Sequence, residues 1–189
     1  GGHKALINNA SASALGRMIE LLGNKNKIPV INIVRSQKNL DTLKTLGSKY
    51  VLNSSDPSFA ANLCELANKL NATILFDSVC DEGLQGMTGT LPKNSKVIIY
   101  GNLTGAENIK INPRGLIDNN IKIEGFFLGS RSQENGILKN MKNLIEVRRL
   151  MSSDLKINIQ GKYPLDRVQE AVDNYLSNMS AGKVLLVNS

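Results

Sequence analysis

Short apolar runs and amphipathic stretches alternate along the first two-thirds of the chain. Ala5-Leu6-Ile7-Asn8 reads as a strand, and after it Leu15, Met18, Ile19 and Leu22 recur at the spacing of one buried helical face. That spacing predicts a helix over 13–22, with Gly23-Asn24 as its stop. Val30-Ile31-Asn32-Ile33-Val34 is a β-branched second strand, followed by a helical face of Leu40, Leu43 and Leu46 that Gly47 ends. Tyr50-Val51-Leu52 is a short third strand. Asp56-Pro57 then opens a helix whose face is Phe59, Leu63, Leu66, Ala67 and Leu70. Thr73-Ile74-Leu75-Phe76 makes a fourth strand ending at Asp77, and a glycine-interrupted helix over 84–91 leads to a fifth, Lys96-Val97-Ile98-Ile99-Tyr100. Pro113 starts a short helix reaching Ile117, and 121–127 is a sixth strand.

Six strands joined by crossovers predict an α/β fold, a doubly wound parallel sheet covered on both faces. Right-handed connections give it the order 3-2-1-4-5-6. The remainder has another texture: a long polar helix over 133–151, a strand over 156–160, a helix over 166–176 with Val168, Ala171, Val172 and Leu176 on one side, and a last strand over 184–187. No internal repeat or low-complexity segment interrupts this plan.

Composition narrows the classes. With 189 residues, 41% apolar and 21% charged, the chain can bury one sizeable core and is neither fibrous nor disordered. No apolar stretch is long enough for a bilayer, and no secretory leader is indicated, so no membrane partner is expected. Lys and Arg number 23 against 16 Asp and Glu, a balance of +7. Aromatics are only 4% of residues and the basic residues are scattered, so the charge reads as a solvated surface with one local phosphate pocket and not as a nucleic-acid stripe. Cys64 and Cys80, far apart and without nearby His, form neither a disulfide framework nor a zinc cluster and read as buried thiols of a reducing compartment. His3, beside Gly1 and Gly2, is given no catalytic role.

The chemistry concentrates between the first strand and first helix, in Asn8-Asn9-Ala10-Ser11-Ala12-Ser13-Ala14-Leu15-Gly16. A dinucleotide's pyrophosphate rests against the free N–H groups and positive end of such a helix, which requires small residues at the approach. Only Gly16 represents the usual glycine fingerprint, and close packing explains a small-residue turn as readily. About 20 residues past the turn, where an acid would accept the ribose 2′-hydroxyl of NAD, the chain has Arg35, Ser36 and Lys38. A guanidinium, a hydroxyl and an ammonium make a set suited to the 2′-phosphate of NADP(H).

That run, with Val30-Ile31-Asn32-Ile33-Val34-Arg35 behind it, resembles the cofactor domain of the medium-chain dehydrogenase/reductase superfamily, in its quinone oxidoreductase and 2-enoyl thioester reductase branch. Leu46-Gly47-Ser48-Lys49-Tyr50-Val51-Leu52, Phe76-Asp77-Ser78-Val79, Val97-Ile98-Ile99-Tyr100-Gly101, Gly125-Phe126-Phe127-Leu128, Tyr163-Pro164-Leu165 and Gly182-Lys183-Val184-Leu185 continue it in order. The resemblance implies a Rossmann domain over 1–130 and a segment over 131–189 that packs on a catalytic domain the chain does not contain. It implies that the backbone of Ser13, Ala14 and Leu15, with Gly16 behind them, faces the pyrophosphate, and that Arg35, Ser36 and Lys38 face the 2′-phosphate. Tyr50 and Val79 would lie by the adenosine, Gly101 and Asn102 over the ribose, and Phe127 and Leu128 beside the nicotinamide. Core packing explains the last two equally, Tyr50 reads equally as a half-buried strand residue, and Lys183 stands near the cofactor or in solvent.

The activity so implied is hydride transfer from NADPH to an activated C=C or C=O bond in an enone, quinone or enoyl thioester, with no catalytic residue and no metal ligand in this chain. The small-molecule substrate would be met by the missing domain, and the uncovered tail is expected either to be disordered or to make a homodimer. A catalytically silent nucleotide-sensing or interaction module, a zinc-type alcohol dehydrogenase fragment and, last, a methyltransferase on a similar sheet are the alternatives. The reducing interior fits cytoplasm and mitochondrial matrix alike.

Overall fold

The computed structural model describes residues 2–153, 155, 158–177, 179 and 181–188. The predicted alternation is realised as β1 Ala5–Asn8, α1 Ala14–Lys25, β2 Val30–Val34, α2 Gln37–Thr45, β3 Tyr50–Asn53, α3 Phe59–Leu70, β4 Ala72–Asp77, α4 Gly83–Thr90, β5 Lys96–Ile99, α5 Pro113–Asn119 and β6 Lys122–Gly125. All neighbours pair in parallel, in the order β3-β2-β1-β4-β5-β6. The order reverses between β1 and β4, so the crevice beyond their carboxyl ends is where such a sheet binds ligands.

The sheet buries Ile7, Ile31, Ile33, Leu75 and Val97 against Leu63, Ala67 and Leu84 of the α3 and α4 layer. A second cluster, Ala12, Val34, Leu40, Leu43 and Val51, fills the α2 side. Burial on both faces explains why β2 reads as a continuous apolar run and not an alternating one.

The chain continues through α6 Leu128–Ser153, β7 Ile159–Pro164, a 3₁₀ turn Leu165–Arg167, α7 Val168–Ser177 and β8 Lys183–Val187. β7 and β8 form a parallel pair of their own, bridged by α7. Residues 156 and 157 of the strand expected over 156–160 lie outside the described residues.

Several expectations are corrected. The sixth strand stops at Gly125, two residues early, and α6 starts at Leu128 instead of 133. Gly136, at φ 70° and ψ 169°, breaks α6 into two helical stretches, which the polar pattern did not foretell. Phe127 and Leu128 are exposed at 73% and 69%, so neither packs in the core. Cys64 is exposed on α3 and only Cys80 is buried. Gly23 does not end α1: a Cβ there would stand 2.3 Å from a Val30 methyl, so its role is close helix–strand packing. Gly47, at φ 90°, does end its helix.

Candidate functional site

The turn between β1 and α1 is locked from beneath by buried polar side chains. Asn8 Nδ2 donates to the Gly16 carbonyl (2.9 Å) and to Asn32 Oδ1 (3.2 Å), Asn32 Nδ2 donates to Glu20 Oε2 (2.6 Å), and Asn24 Nδ2 to Glu20 Oε1 (3.3 Å). Asn8 and Asn32 are register partners on adjacent strands, so the chain of bonds ties β1, β2 and α1 together. Ser11 adds a stitch: its hydroxyl donates to the Asn8 carbonyl (2.6 Å) and accepts the Ile33 N–H (3.1 Å).

On the other side, buried Asp77 at the end of β4 accepts from Asn9 Nδ2 (2.5 Å) and from the Cys80 N–H (3.0 Å). The Cys80 thiol donates to the Gly101 carbonyl (3.2 Å). Burial, reinforced by the Asp77 charge, pushes that thiol up to about 11.

The turn itself runs through Ala10 at φ 61°, a left-handed conformation without glycine. Gly16 is required by space: a Cβ there would lie 2.5 Å from the Ala10 carbonyl oxygen and 2.7 Å from Ser11 Cα. Ser13 caps α1, its hydroxyl accepting the Gly16 N–H (3.0 Å) and its carbonyl the Arg17 N–H (3.0 Å). Helical geometry leaves the Ala14 and Leu15 N–H groups as open donors at the positive end.

These donors face a cleft of about 670 Å³ whose walls include Ser13, Ala14, Leu15 and Met18 from the turn, Val34, Arg35 and Asn39 beyond β2, and Ser78, Val79, Tyr100 and Gly101 beyond β4 and β5. Tyr175, Met179 and Lys183 of the C-terminal unit complete the wall, and Lys183 Nζ donates to Tyr175 Oη at 2.7 Å. The Tyr100 hydroxyl is buried with no hydrogen-bond partner among the described residues. Burial raises its pKa.

A second cavity, about 260 Å³, adjoins the first: Asn9, Ile33 and Arg35 line both. Its floor is apolar, with Phe59, Ala60, Leu63 and Met87, and its rim carries Ser54, Asp81 and Glu82. Glu82 is tied to Lys110 at 2.6 Å, which lowers its pKa.

Of the residues singled out in the sequence, Ser13, Ala14, Leu15, Arg35, Val79 and Gly101 meet in the larger cleft, joined by Lys183. Gly16 stands behind the turn as its spacer. Ser36 caps α2, accepting the Asn39 N–H, and lines neither cavity. Lys38 lies on the outer side of α2 with Asp41, Thr42 and Thr45. Tyr50 packs half-buried on β3 under the Lys49 ammonium, and Asn102 is exposed, bonded to the Ala106 carbonyl. Phe127 and Leu128 stand apart from both cavities. Asn9, Tyr100 and Tyr175 were not foreseen; the pairing of Asn9 with Asp77 follows from two polar residues ending neighbouring apolar strands, whereas Tyr175 reaches the cleft only through long-range packing.

The small-residue turn, the space Gly16 keeps clear, the open N–H groups and the orphaned Tyr100 hydroxyl fit a phosphate-bearing dinucleotide. They do not fit a zinc ion, since the described residues hold no group of three or more metal-ligating side chains. No helix among them is long and apolar enough to cross a membrane.

Comparison with known proteins agrees with this geometry. Residues 14–143 match the family model for zinc-binding dehydrogenase. A protein assigned as a quinone oxidoreductase in Leishmania amazonensis is 25% identical over 198 residues, covering 98% of this chain and 56% of its own length. A crystal structure assigned as an NADPH:quinone reductase from Mesorhizobium loti has a TM-score of 0.86 at 28% identity, covering 98% of this chain and 53% of its own. A mutant enoyl thioester reductase from Candida tropicalis, TM-score 0.77 at 18% identity with coverage of 98% and 54%, shares the fold. The chain thus spans about half the length of the relatives it matches.

Proposed function

The chain belongs to the zinc-binding dehydrogenase family, and we propose that it is the coenzyme-holding part of an NADP(H)-dependent oxidoreductase acting on an activated C=C or C=O bond of an enone, quinone or enoyl thioester. The observation that carries this reading is the turn in which Gly16 is pressed against Ala10 and Ser11, so that the Ala14 and Leu15 N–H groups open into a cleft walled by Arg35 and Tyr100. The bridging phosphates would rest on those N–H groups, adenosine would take the smaller cavity, and the 2′-phosphate would meet Arg35, which lines both.

When bound, the coenzyme supplies the hydride. The chain's own part is to bind and orient: Asn9, held by Asp77, fixes the turn, Tyr100 offers its hydroxyl as a hydrogen-bond partner, and Tyr175 and Lys183, bonded to each other, wall one side of the cleft. The 1–130 stretch would be the nucleotide unit and 131–189 the part that meets a substrate-binding domain.

Calorimetry with NADPH tests the reading. Micromolar or tighter binding that Gly16→Val abolishes is the expected result, and silence with both NADPH and NADH would count against it. Turnover of NADPH with an enone by this chain alone would contradict the assignment of substrate contacts to a further domain. A second reading, an interaction module that kept the fold without its ligand, is favoured by a turn that holds a glycine conformation at Ala10 without glycine; the silent calorimetric result would decide for it.

A further inference from the structure

The rim of the smaller cavity holds a pair of opposite charges that the coenzyme reading does not by itself explain. Arg35 Nη2 stands 3.8 Å from Asp81 Oδ2, close enough for attraction and too far for a hydrogen bond. The two partners are not equally free. Asp81 is anchored: its Oδ1 accepts the Gly83 N–H at 2.9 Å and its carbonyl accepts the Leu84 N–H at 3.1 Å, so the carboxylate is part of the start of α4. A Cβ on Gly83 would come 2.9 Å from that same Oδ1, so the glycine makes room for it. Arg35 has 62% of its side chain exposed against 34% for Asp81, and its carbonyl accepts from Ser55 Oγ at 2.9 Å. The neighbouring acid, Glu82, is already offset by Lys110. Asp81 is therefore the fixed negative charge beside Arg35, the one cationic residue among the described residues that lines this cavity.

We propose that Asp81 is a coenzyme-selecting residue that restrains Arg35 and weakens the preference for a 2′-phosphorylated dinucleotide over its unphosphorylated counterpart. The inference rests on the coenzyme reading above. A 2′-phosphate has to draw Arg35 away from Asp81 and then remain near a carboxylate; a 2′-hydroxyl does neither and finds in Asp81 an acceptor. The arrangement tolerates both coenzymes where Arg35 alone would favour one.

The test is calorimetry of the full chain with NADPH and with NADH, in the unaltered protein, in Asp81→Asn and in Arg35→Ala. Asn keeps an oxygen for the Gly83 N–H, so the start of α4 is preserved, and circular dichroism checks it. Asp81→Asn is expected to raise the NADPH-to-NADH affinity ratio roughly fivefold, the scale of a partly screened ion pair, and less at high salt. Arg35→Ala should lower the ratio, and adding Asp81→Asn to it should restore less than Asp81→Asn gains alone. A ratio unchanged by Asp81→Asn while both coenzymes still bind would overturn this proposal and leave the coenzyme reading standing. If the unaltered protein binds neither, both fall together.

Discussion

Residues 5–100 and residues 126–187 share one chain but close their interiors differently. In the first stretch Ile7, Ile31, Leu63, Leu75 and Leu84 have no exposed surface, and even the polar Asn8, Asn32 and Asp77 are sealed in. In the second, Ile137 and Leu138 are exposed at 79% and 85%, Leu144, Ile145 and Leu176 stand out as well, and few of the described residues are buried, Leu150 and Ala171 among them. Each sheet strand of the first region finds apolar neighbours on both faces. In the second, α6 and the β7-α7-β8 unit offer more apolar surface than the described residues cover. The region holding the turn is thus fixed by its own packing, whereas the region that closes over the cleft leaves apolar surface uncovered among the described residues.

Substitutions can break or sharpen this contrast. The largest effect is expected at Gly16→Val: backbone atoms sit where the side chain would go, so destabilisation of about 3 kcal/mol and a fall in Tm of roughly 6–12 °C should appear in a thermal melt. Asp77→Asn comes next. Its amide would point a donor at the Cys80 N–H or lose the Asn9 contact, leaving a buried group unpaired at a cost of about 2 kcal/mol, measurable by urea unfolding.

A pH series gives a third, smaller effect. The Cys80 thiol is raised from 9.0 to about 11, so between these values the folded chain holds a proton that the unfolded chain has released. Stability attributable to Cys80 is present below pH 9 and falls as pH rises toward 11, and Cys80→Ala should flatten that fall. In the native state Cys64 should react with a thiol reagent and Cys80 should not. The smallest effect belongs to the second region: Leu138→Ser, which strips an exposed apolar group from α6, should move stability by no more than about 0.5 kcal/mol. A large loss there would show that α6 is buried after all and would erase the contrast.

The sequence made the first region more readable than the second for the same reason. β1 and β2 fall on the predicted residues because strands buried on both faces carry unbroken apolar runs, and the strand order follows from the handedness of their crossovers. α6 begins five residues before its predicted start and breaks at Gly136, since a helix with exposed apolar side chains has no clean face to read. Within the site, the small residues of the turn were recognisable from their size, and the family resemblance placed the backbone of Ser13, Ala14 and Leu15 there. The anchoring of Asp81, the orphaned Tyr100 hydroxyl and the arrival of Tyr175 and Lys183 depend on contacts between segments far apart in the chain, which local pattern does not encode.

The chain contains no tryptophan and four tyrosines, and two of these, Tyr100 and Tyr175, belong to the cleft wall. Two of the four rings behind the intrinsic tyrosine emission therefore stand where a coenzyme bound in the cleft would come within reach of them. Occupancy could be followed by energy transfer from these phenol rings with no label attached, and Tyr100→Phe and Tyr175→Phe would tell which rim the guest approaches.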